Sequence, residues 1–122
     1  MPVTRATFPR HYRLIKTDEF SSVFGFRKAV KSRHFLLHYR PQTESEQTGP
    51  RLGLVVAKRL LRRSVDRNLI RRLARESFRL IRSRLVQRDL VLRLATRPAE
   101  LDRRALAEEM QSLFDKMSTT RR

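Results

Sequence analysis

Apolar residues early in the chain recur at the spacing of an α-helix. Residues 18–25 follow Thr17, a good N-cap residue, and they begin with two carboxylates, which suit the positive end of a helix. We expect Gly25 to end this helix. Its apolar positions at helical spacing are Phe20, Val23 and Phe24.

The next segments favour strands. Residues 32–40 are rich in strand formers, and residues 41–50 are polar, with one glycine and two prolines, which predicts a loop between two strands. Residues 52–57 form a near-continuous apolar run, which predicts a second strand, buried on both faces. Residues 89–95 predict a further strand, and Pro98 breaks it.

Two longer helices complete the pattern. Ser64 is a plausible cap for a helix that runs to about Leu85, and Asp102 opens a final helix. The apolar residues on one side of that final helix are Leu101, Ala105, Leu106, Met110, Leu113, Phe114 and Met117. The order of helix, strands, long helix, strand and helix predicts a sheet covered by helices.

The long helix has two unlike halves. At 100° per residue its apolar half contains Val65, Leu69, Ile70, Leu73, Ala74, Leu80 and Ile81. The opposite half contains Arg67, Asn68, Arg71, Arg72, Arg75, Arg79 and Arg82. The acids Asp66 and Glu76 fall outside this basic arc, so the pattern predicts one face packed on a sheet and one ridge of guanidinium groups.

A charged outer face is common on amphipathic helices, but such faces usually mix signs, because like charges at i,i+4 repel. Four arginines repeat this spacing from Arg67 to Arg79 with no acid on the same ridge. An external anion therefore explains the ridge better than solvation alone does. A membrane surface is the other candidate, but the apolar half lacks aromatic anchors apart from Phe78 near its boundary.

The composition also favours an anionic partner. The formal net charge is +17, and 24 of the 29 basic residues are arginine, whose planar guanidinium binds phosphate in a fork and stacks on bases. This favours nucleic acid. The chain has no cysteine, no apolar signal segment and no stretch that could span a membrane, so we expect a soluble, cytoplasmic protein.

An autonomous nuclease site is not expected. Metal-dependent cleavage needs clustered carboxylates, but the acids lie mainly in the loop, at Glu44 and Glu46, or scattered on helices. The histidines show no ligand spacing. His34 and His38 are predicted on one strand face, which is weak evidence for catalysis.

The run KRLLRRSVDRNLIRRLARESFR at residues 58–79 resembles the signature of the bacterial ribonuclease P protein, in which a strand ends in basic residues and a long helix carries Arg-Asn-Arg. Arg13-Leu14 and Asp18-Glu19-Phe20 resemble that family's opening helix. Residues 32–35 and 51–54 resemble its strands, so the likeness extends over residues 13–117. One position departs from the family pattern, since Leu69 stands where the motif has its second arginine.

The resemblance implies a single domain over residues 1–122, with a basic arm at 1–12 and a frayed tail at 118–122. The implied fold is an α/β (α+β) two-layer sandwich. It has about four mostly antiparallel strands and three helices in the order α-β-β-β-α-β-α, with a left-handed βαβ crossover. Without the resemblance the right-handed form would be expected, because that hand dominates such connections.

The resemblance also implies a function: the protein subunit of ribonuclease P, an endoribonuclease whose RNA subunit, with bound Mg²⁺, removes the 5′ leader of precursor tRNA. The implied contacts to catalytic RNA are Lys58, Arg59, Arg62, Arg63, Arg67, Asn68, Arg71, Arg72, Arg75 and Arg79. The implied leader cleft consists of Phe20, Phe24, Phe35, His38 and Lys58. No catalytic or metal-binding residue, protein partner or self-association is expected in the holoenzyme.

The alternative is a general RNA-binding protein of the ribosomal or RNA-chaperone type, without a ribozyme partner. It shares the charge and the ridge but needs no leader cleft. Phe20 and Phe24, at i,i+4, could equally be core residues.

Overall fold

The computed structural model describes residue 13 and residues 17–42, 49–85 and 88–117. The predicted arm, the predicted tail and most of the predicted loop lie outside these residues. The helices are α1 (Thr17–Phe26), α2 (Ser64–Ile81) and α3 (Arg103–Asp115), and a 3₁₀ turn (Arg82–Arg84) follows α2. The strands are β1 (Lys28–Lys31), β2 (Phe35–Pro41), β3 (Arg51–Val55) and β4 (Arg88–Leu94).

The four strands form one mixed sheet in the order β1-β2-β4-β3. β2 is antiparallel to both β1 and β4, whereas β3 and β4 are parallel, so α2 serves as the crossover between them. The predicted element order and the predicted mostly antiparallel sheet with three helices are confirmed.

One face of the sheet supports the main core. Alternation along β2 and β4 turns Phe35 and Leu37, and Leu90, Leu92 and Leu94, towards α2 and α3, and all five are at most 2% exposed. The helices contribute buried residues that include Ile70, Ala74, Phe78, Ile81, Leu106, Met110, Leu113 and Phe114. Phe78 and Phe114 meet edge to face with ring centroids 5.9 Å apart.

α1 lies on the opposite face of the sheet. Val23 of α1 and Val91 of β4 are fully buried against each other, and Phe20 and Val55 pack beside them. Val91 alternates with Leu90 and Leu92, so it must face away from the main core. This second apolar cluster is small, and within the described part of the chain α1 covers it.

The position of β3 differs from the prediction of a strand buried on both faces. β3 is an edge strand with only Leu52 and Gly53 buried, whereas the central strand β4 has four consecutive buried residues. The apolar run therefore did not show whether its strand lies at the edge or in the centre of the sheet. β2 also begins later than expected, because residues 32–34 form the turn that joins it to β1.

One helix end matches the prediction made from the sequence, and two helix ends differ from it. The Asp102 carboxylate accepts hydrogen bonds from the backbone N–H groups of Arg104 and Ala105, as the predicted cap requires. Ser64 is not a cap, because α2 has Arg63 at that position and no capping side chain among the described residues. α1 ends at Phe26 rather than Gly25, and Arg27 takes the left-handed conformation with φ 63°.

The buried stripe of α2 is rotated towards its basic half. Phe78, expected near the boundary, is fully buried, together with Ile70, Ala74 and Ile81. Val65 and Leu80, expected in the packing face, are 57% and 59% exposed. The rotation brings the first arginines of the ridge to the edge of the packed face.

Candidate nucleic-acid interface

Arg67 stabilises the loop before α2 as well as contributing charge. It is half-buried, and its Nη1 donates hydrogen bonds to the carbonyl oxygens of Leu61 (2.9 Å) and Arg62 (2.8 Å). Both carbonyls lie in the turn region between β3 and α2, which belongs to no strand or helix. Arg67 therefore holds in place the loop that carries several of the other predicted contacts.

The remaining residues of the ridge differ in their surroundings. Arg71 is half-buried and its Nη1 donates to Oδ1 of Asn68 at 3.2 Å, while Arg72 is exposed. Arg75 is half-buried, and burial lowers its guanidinium pKa, with the nearby charges of Arg13 and Arg71 adding to the effect. A cation held beside other cations favours an anion at this surface.

Arg79 corrects the expectation of a ridge without acids. Its Nη2 lies 2.6 Å from Oε2 of Glu76, one turn earlier on the helix. The hydrogen bond that Arg79 donates to the Glu76 carboxylate raises the pKa of Arg79. On this ridge Arg79 is therefore paired with a carboxylate of its own helix.

The loop before α2 forms a basic pocket of about 230 Å³. Arg59, Arg62 and Arg63 line it with Asp66, and Arg97 joins them from the segment after β4. Lys58 is exposed in the turn that follows β3. Sequence reasoning did not single out Arg97, because it lies far along the chain from the motif.

An aromatic pair occupies the sheet face that α1 covers. The rings of Phe24 and His38 meet edge to face, and Phe24 is 36% exposed. Nε of Arg93 lies 3.4 Å from Nε2 of His38. Burial lowers the pKa of His38, and the charge of Arg93 lowers it further. Arg93 was also missed, although the alternation of β4 places it on the same face as Val91.

Phe20 lies apart from this pair. It packs on Val23 and Val91 and also lines a groove of about 280 Å³ between α1 and α2, where Arg71 and Arg75 are its neighbours. Three of the five predicted cleft residues therefore fall into two groups. One contains Phe24 and His38, and the other contains Phe20 beside the α2 arginines.

Phe35 cannot belong to the predicted cleft. Its side chain is 1% exposed and lies in the main core on the opposite face of the sheet, because odd-numbered residues of β2 point away from α1. The predicted pairing of His34 with His38 on one face is also wrong. His34 precedes β2, and its Nδ1 lies 2.9 Å from Oε1 of Glu109 on α3.

Glu109 connects α3 to the turn between β1 and β2. Its carboxylate accepts hydrogen bonds from the Ser32 hydroxyl and from the backbone N–H of His34, the latter at 2.6 Å. Burial raises the pKa of Glu109, but the hydrogen bonds from Ser32 and His34 outweigh this effect, so its pKa is lowered overall. The Ser32 hydroxyl bonds to the carboxylate rather than to the imidazole, so this is an anchor and not the arrangement of a nucleophile and its base.

A buried ion-pair network fixes the far end of the sheet. Asp89 is 1% exposed, and Arg51 donates to both of its carboxylate oxygens at 3.1 and 3.0 Å. Arg40 and Gln42 donate to the same carboxylate at 3.1 and 2.8 Å. The network joins β2, β3 and β4 on the face that α1 only partly covers. Consequently this face of the sheet is largely polar, whereas the core face is apolar.

Metal ligands do not converge in the described part of the chain, where no group of three or more His, Asp or Glu residues could hold an ion. The two best-placed carboxylates, Asp89 and Glu109, already bind arginine, glutamine, serine and histidine groups. These residues do not fit a magnesium site. Among the described helices, none has the length and apolarity needed to cross a bilayer.

Comparison with known proteins gives a consistent answer. The Ribonuclease P family profile matches residues 8–118. The chain is 49% identical over 109 residues to the ribonuclease P protein component of Azoarcus sp. strain BH72, covering 89% of this chain and 88% of that protein. It is 49% identical over 98 residues to the protein of the same name from Aromatoleum aromaticum, covering 80% and 79%.

Solved structures show the same fold. The RNase P protein of Staphylococcus aureus superposes with a TM-score of 0.77 at 22% identity, covering 86% of this chain and 94% of that one. The Thermotoga maritima RNase P protein gives a TM-score of 0.72 at 22% identity, covering 87% and 97%. With the profile match over most of its length and relatives at nearly half identity, this chain belongs to the ribonuclease P protein family.

Proposed function

We propose that the protein is the protein subunit of a bacterial ribonuclease P, binding the catalytic RNA and the 5′ leader of precursor tRNA. The catalytic RNA contacts the loop before α2 and the exposed arginine face of α2. The single-stranded leader contacts the sheet face beside α1. The enzyme is then an endoribonuclease as a ribonucleoprotein, located in the cytoplasm.

The observation that carries this proposal is the contrast between the two faces of the sheet. A sheet that only needs a core has one face packed and one face solvated. Here the second face carries an aromatic pair, Phe24 and His38, beside the cation Arg93, and α1 leaves the Phe24 ring partly exposed. Unpaired nucleotides bind such surfaces by stacking on aromatic rings next to positive charge.

The proposal assigns the cleavage chemistry to the RNA subunit, with Mg²⁺ supplied and held there. The protein's described residues offer no convergent ligand set for the ion. Its part is to lower repulsion where two RNAs meet and to raise affinity for the precursor. Arginine suits both tasks, because the guanidinium stays charged and binds phosphate through two parallel hydrogen bonds.

The test compares the affinities of the reconstituted holoenzyme for precursor tRNA and for mature tRNA. We expect the protein to increase the affinity for the precursor more than that for the mature product, because only the precursor carries a leader. Equal increases for both RNAs would contradict leader binding. They would favour the general RNA-binding alternative, which rests on the same net charge of +17.

A further inference from the structure

The turn between β1 and β2 is held firmly in place although it lies at the surface. The Glu109 carboxylate of α3 accepts hydrogen bonds from the Ser32 hydroxyl and the His34 backbone N–H, and its Oε1 lies 2.9 Å from Nδ1 of His34. The His34 carbonyl oxygen accepts hydrogen bonds from the N–H groups of Ala95 and Thr96, at 2.8 and 3.2 Å. The turn is therefore tied both to α3 and to the segment that follows β4.

Arg33 is the exposed residue of this anchored turn. Its neighbours Ser32 and His34 are half-buried and bonded to Glu109, so the backbone on both sides of Arg33 is fixed. A fixed backbone reduces the conformational entropy that is lost when a side chain binds a ligand. An arginine that is merely solvated needs no such support, so the anchoring favours a binding role for this side chain.

The sheet topology places further cations beside this turn. β3 and β4 are parallel, so both end at the end of the sheet where β2 begins and β1 stops. Neighbouring strands lie about 4.8 Å apart, so four strands spread these positions over about 15 Å. The exposed cations at this end of the sheet are Lys31 at the end of β1, Arg33 before β2, Arg97 after β4, and Lys58 and Arg59 after β3.

Carboxylates also lie near Arg33. Glu100 and Asp102 line a hollow of about 260 Å³ together with Arg33. The Asp102 carboxylate caps α3, and that of Glu109 is bonded to the turn. Glu100 is exposed, and exposed ion pairs contribute little to stability. A phosphate group can therefore compete with Glu100 for the guanidinium of Arg33.

We propose that the turn between β1 and β2 binds an RNA phosphate through Arg33, flanked by Lys31 and Arg97, and that Glu109 positions Arg33 for this contact. The guanidinium group suits this role because it binds phosphate through two parallel hydrogen bonds. The proposal rests on the proposed function and adds a contact outside both the arginine face of α2 and the sheet face beside α1. The phosphate belongs either to the catalytic RNA or to precursor tRNA, and its chemistry is the same in both.

The experiment measures the slope of log affinity against log salt concentration for wild type, Arg33→Gln and Arg33→Lys. One titration uses the catalytic RNA alone, and the other adds precursor tRNA to the assembled holoenzyme. The matched control, Lys116→Gln, removes the same charge from an exposed position after α3. That position is at the opposite end of the sheet, where Met117 contacts Arg88 at the start of β4.

We expect Arg33→Gln to reduce the slope, Arg33→Lys to preserve most of it, and Lys116→Gln to leave it unchanged. Losing one phosphate contact should reduce the magnitude of the slope by about 0.7 for a single strand and about 0.9 for a duplex region. A reduction in the first titration assigns the phosphate to the catalytic RNA. A reduction in the second titration alone assigns it to precursor tRNA.

A double-mutant cycle tests the positioning role of Glu109. Glu109→Ala should reduce the slope about as much as Arg33→Gln does, and Glu109→Gln, which retains an acceptor oxygen, should preserve most of it. In the Arg33→Gln background, Glu109→Ala should have no further effect, because Glu109 acts through Arg33. Glu108→Ala, which removes an exposed carboxylate from the next position on α3, controls for the change in net charge.

An unchanged slope for Arg33→Gln in both titrations overturns the inference, and so does an equal reduction for Lys116→Gln. Additive effects of Glu109→Ala and Arg33→Gln overturn the positioning role. Thermal unfolding of each variant shows whether it has folded. The proposed function is judged separately, by whether wild-type protein favours precursor over mature tRNA. If it shows no such preference while Arg33→Gln still reduces the slope, the turn binds RNA in a protein of different function.

Discussion

The rings of Phe24 and His38 meet edge to face, with centroids 4.8 Å apart and planes at 88°. Phe24 comes from α1 and His38 from β2, so the pair holds the helix against the sheet at the place where we propose that the leader binds. Phe24 nevertheless remains 36% exposed, which is enough for a base to reach its ring.

Replacing Phe24 with leucine should weaken leader binding more than it weakens the fold. Leucine retains apolar contact but offers no aromatic face, and stacking of a base on a ring contributes about 1–3 kcal/mol. We expect Phe24→Leu to reduce the preference for precursor over mature tRNA by roughly tenfold. The measurement is the ratio of the two dissociation constants with reconstituted holoenzyme.

Phe26→Leu is the matched control for this change. Phe26 lies on the same helix and is 43% exposed, but it has no part in the proposed interface. An equal loss from Phe26→Leu, or no loss from Phe24→Leu, would contradict a role for the Phe24 ring in leader binding.

The folding stability should depend on pH through His38. Burial and the charge of Arg93 lower its folded-state pKa, so below the ordinary value of about 6.5 the unfolded chain binds more protons than the folded one. The His38 contribution is therefore fully present above about pH 6.5 and is lost as the pH falls towards the lowered folded-state pKa.

His38→Gln tests this dependence, because glutamine is polar but does not titrate. Between pH 7 and pH 5 we expect wild type to lose more unfolding free energy than His38→Gln, measured by urea denaturation at each pH. Parallel pH profiles for the two proteins would show that the environment of His38 in the folded state does not disfavour its charged form.

Arg67 should affect both stability and RNA binding, whereas Arg72 should affect RNA binding alone. Arg67→Ala removes the hydrogen bonds to the carbonyls of Leu61 and Arg62 and should lower the free energy of unfolding by about 1–3 kcal/mol. Arg72 is exposed, so Arg72→Ala should change the free energy of unfolding by less than about 0.5 kcal/mol.

Each of these two changes should also reduce the salt slope for catalytic RNA by about one unit or less. Denaturation curves and salt titrations on the same preparations separate the two effects. If Arg67→Ala is as stable as Arg72→Ala, then Arg67 does not hold the loop in place.

Asp89 should be a principal determinant of stability. Asp89→Asn removes the charge that pairs with Arg40 and Arg51, and disrupting a buried ion pair costs about 3–5 kcal/mol. We expect a loss near the lower end of that range, because the two arginine side chains are 16% and 18% exposed. Urea denaturation gives the value, with Glu108→Gln on the exposed side of α3 as the control. A change below about 1 kcal/mol would contradict this role.

Much of the fold could be predicted because local patterns and the family resemblance agreed. The strand formers of β2, the apolar run of β3 and the capping Asp102 each left a signal within a few residues. β1 left none, since Lys28–Lys31 carries two lysines and has only one residue that is not exposed. It forms a strand because β2 presents an edge for it, and that is a tertiary effect.

The types of residue in the candidate site could be predicted from the sequence, but the way in which the fold arranges them could not. The helical-wheel pattern separated the arginines of α2 from its apolar residues. Leu69 and Leu80 biased its estimate of the buried direction, because the positions of the sheet and α3 determine which side of the helix is buried. Phe35 was assigned by position along the motif rather than by its side of the strand. Arg13, Arg93 and Arg97 join the surface through contacts between distant parts of the chain, for which a single sequence gives no local signal.

The most direct test of the central claim is processing of labelled precursor tRNA by bacterial ribonuclease P RNA at low magnesium concentration, with and without this protein. We predict cleavage at the mature 5′ end that depends on the protein, and weaker cleavage with Phe24→Leu than with Phe26→Leu. A protein that binds both RNAs but never restores cleavage, even with the RNA from its own source, would contradict the assignment.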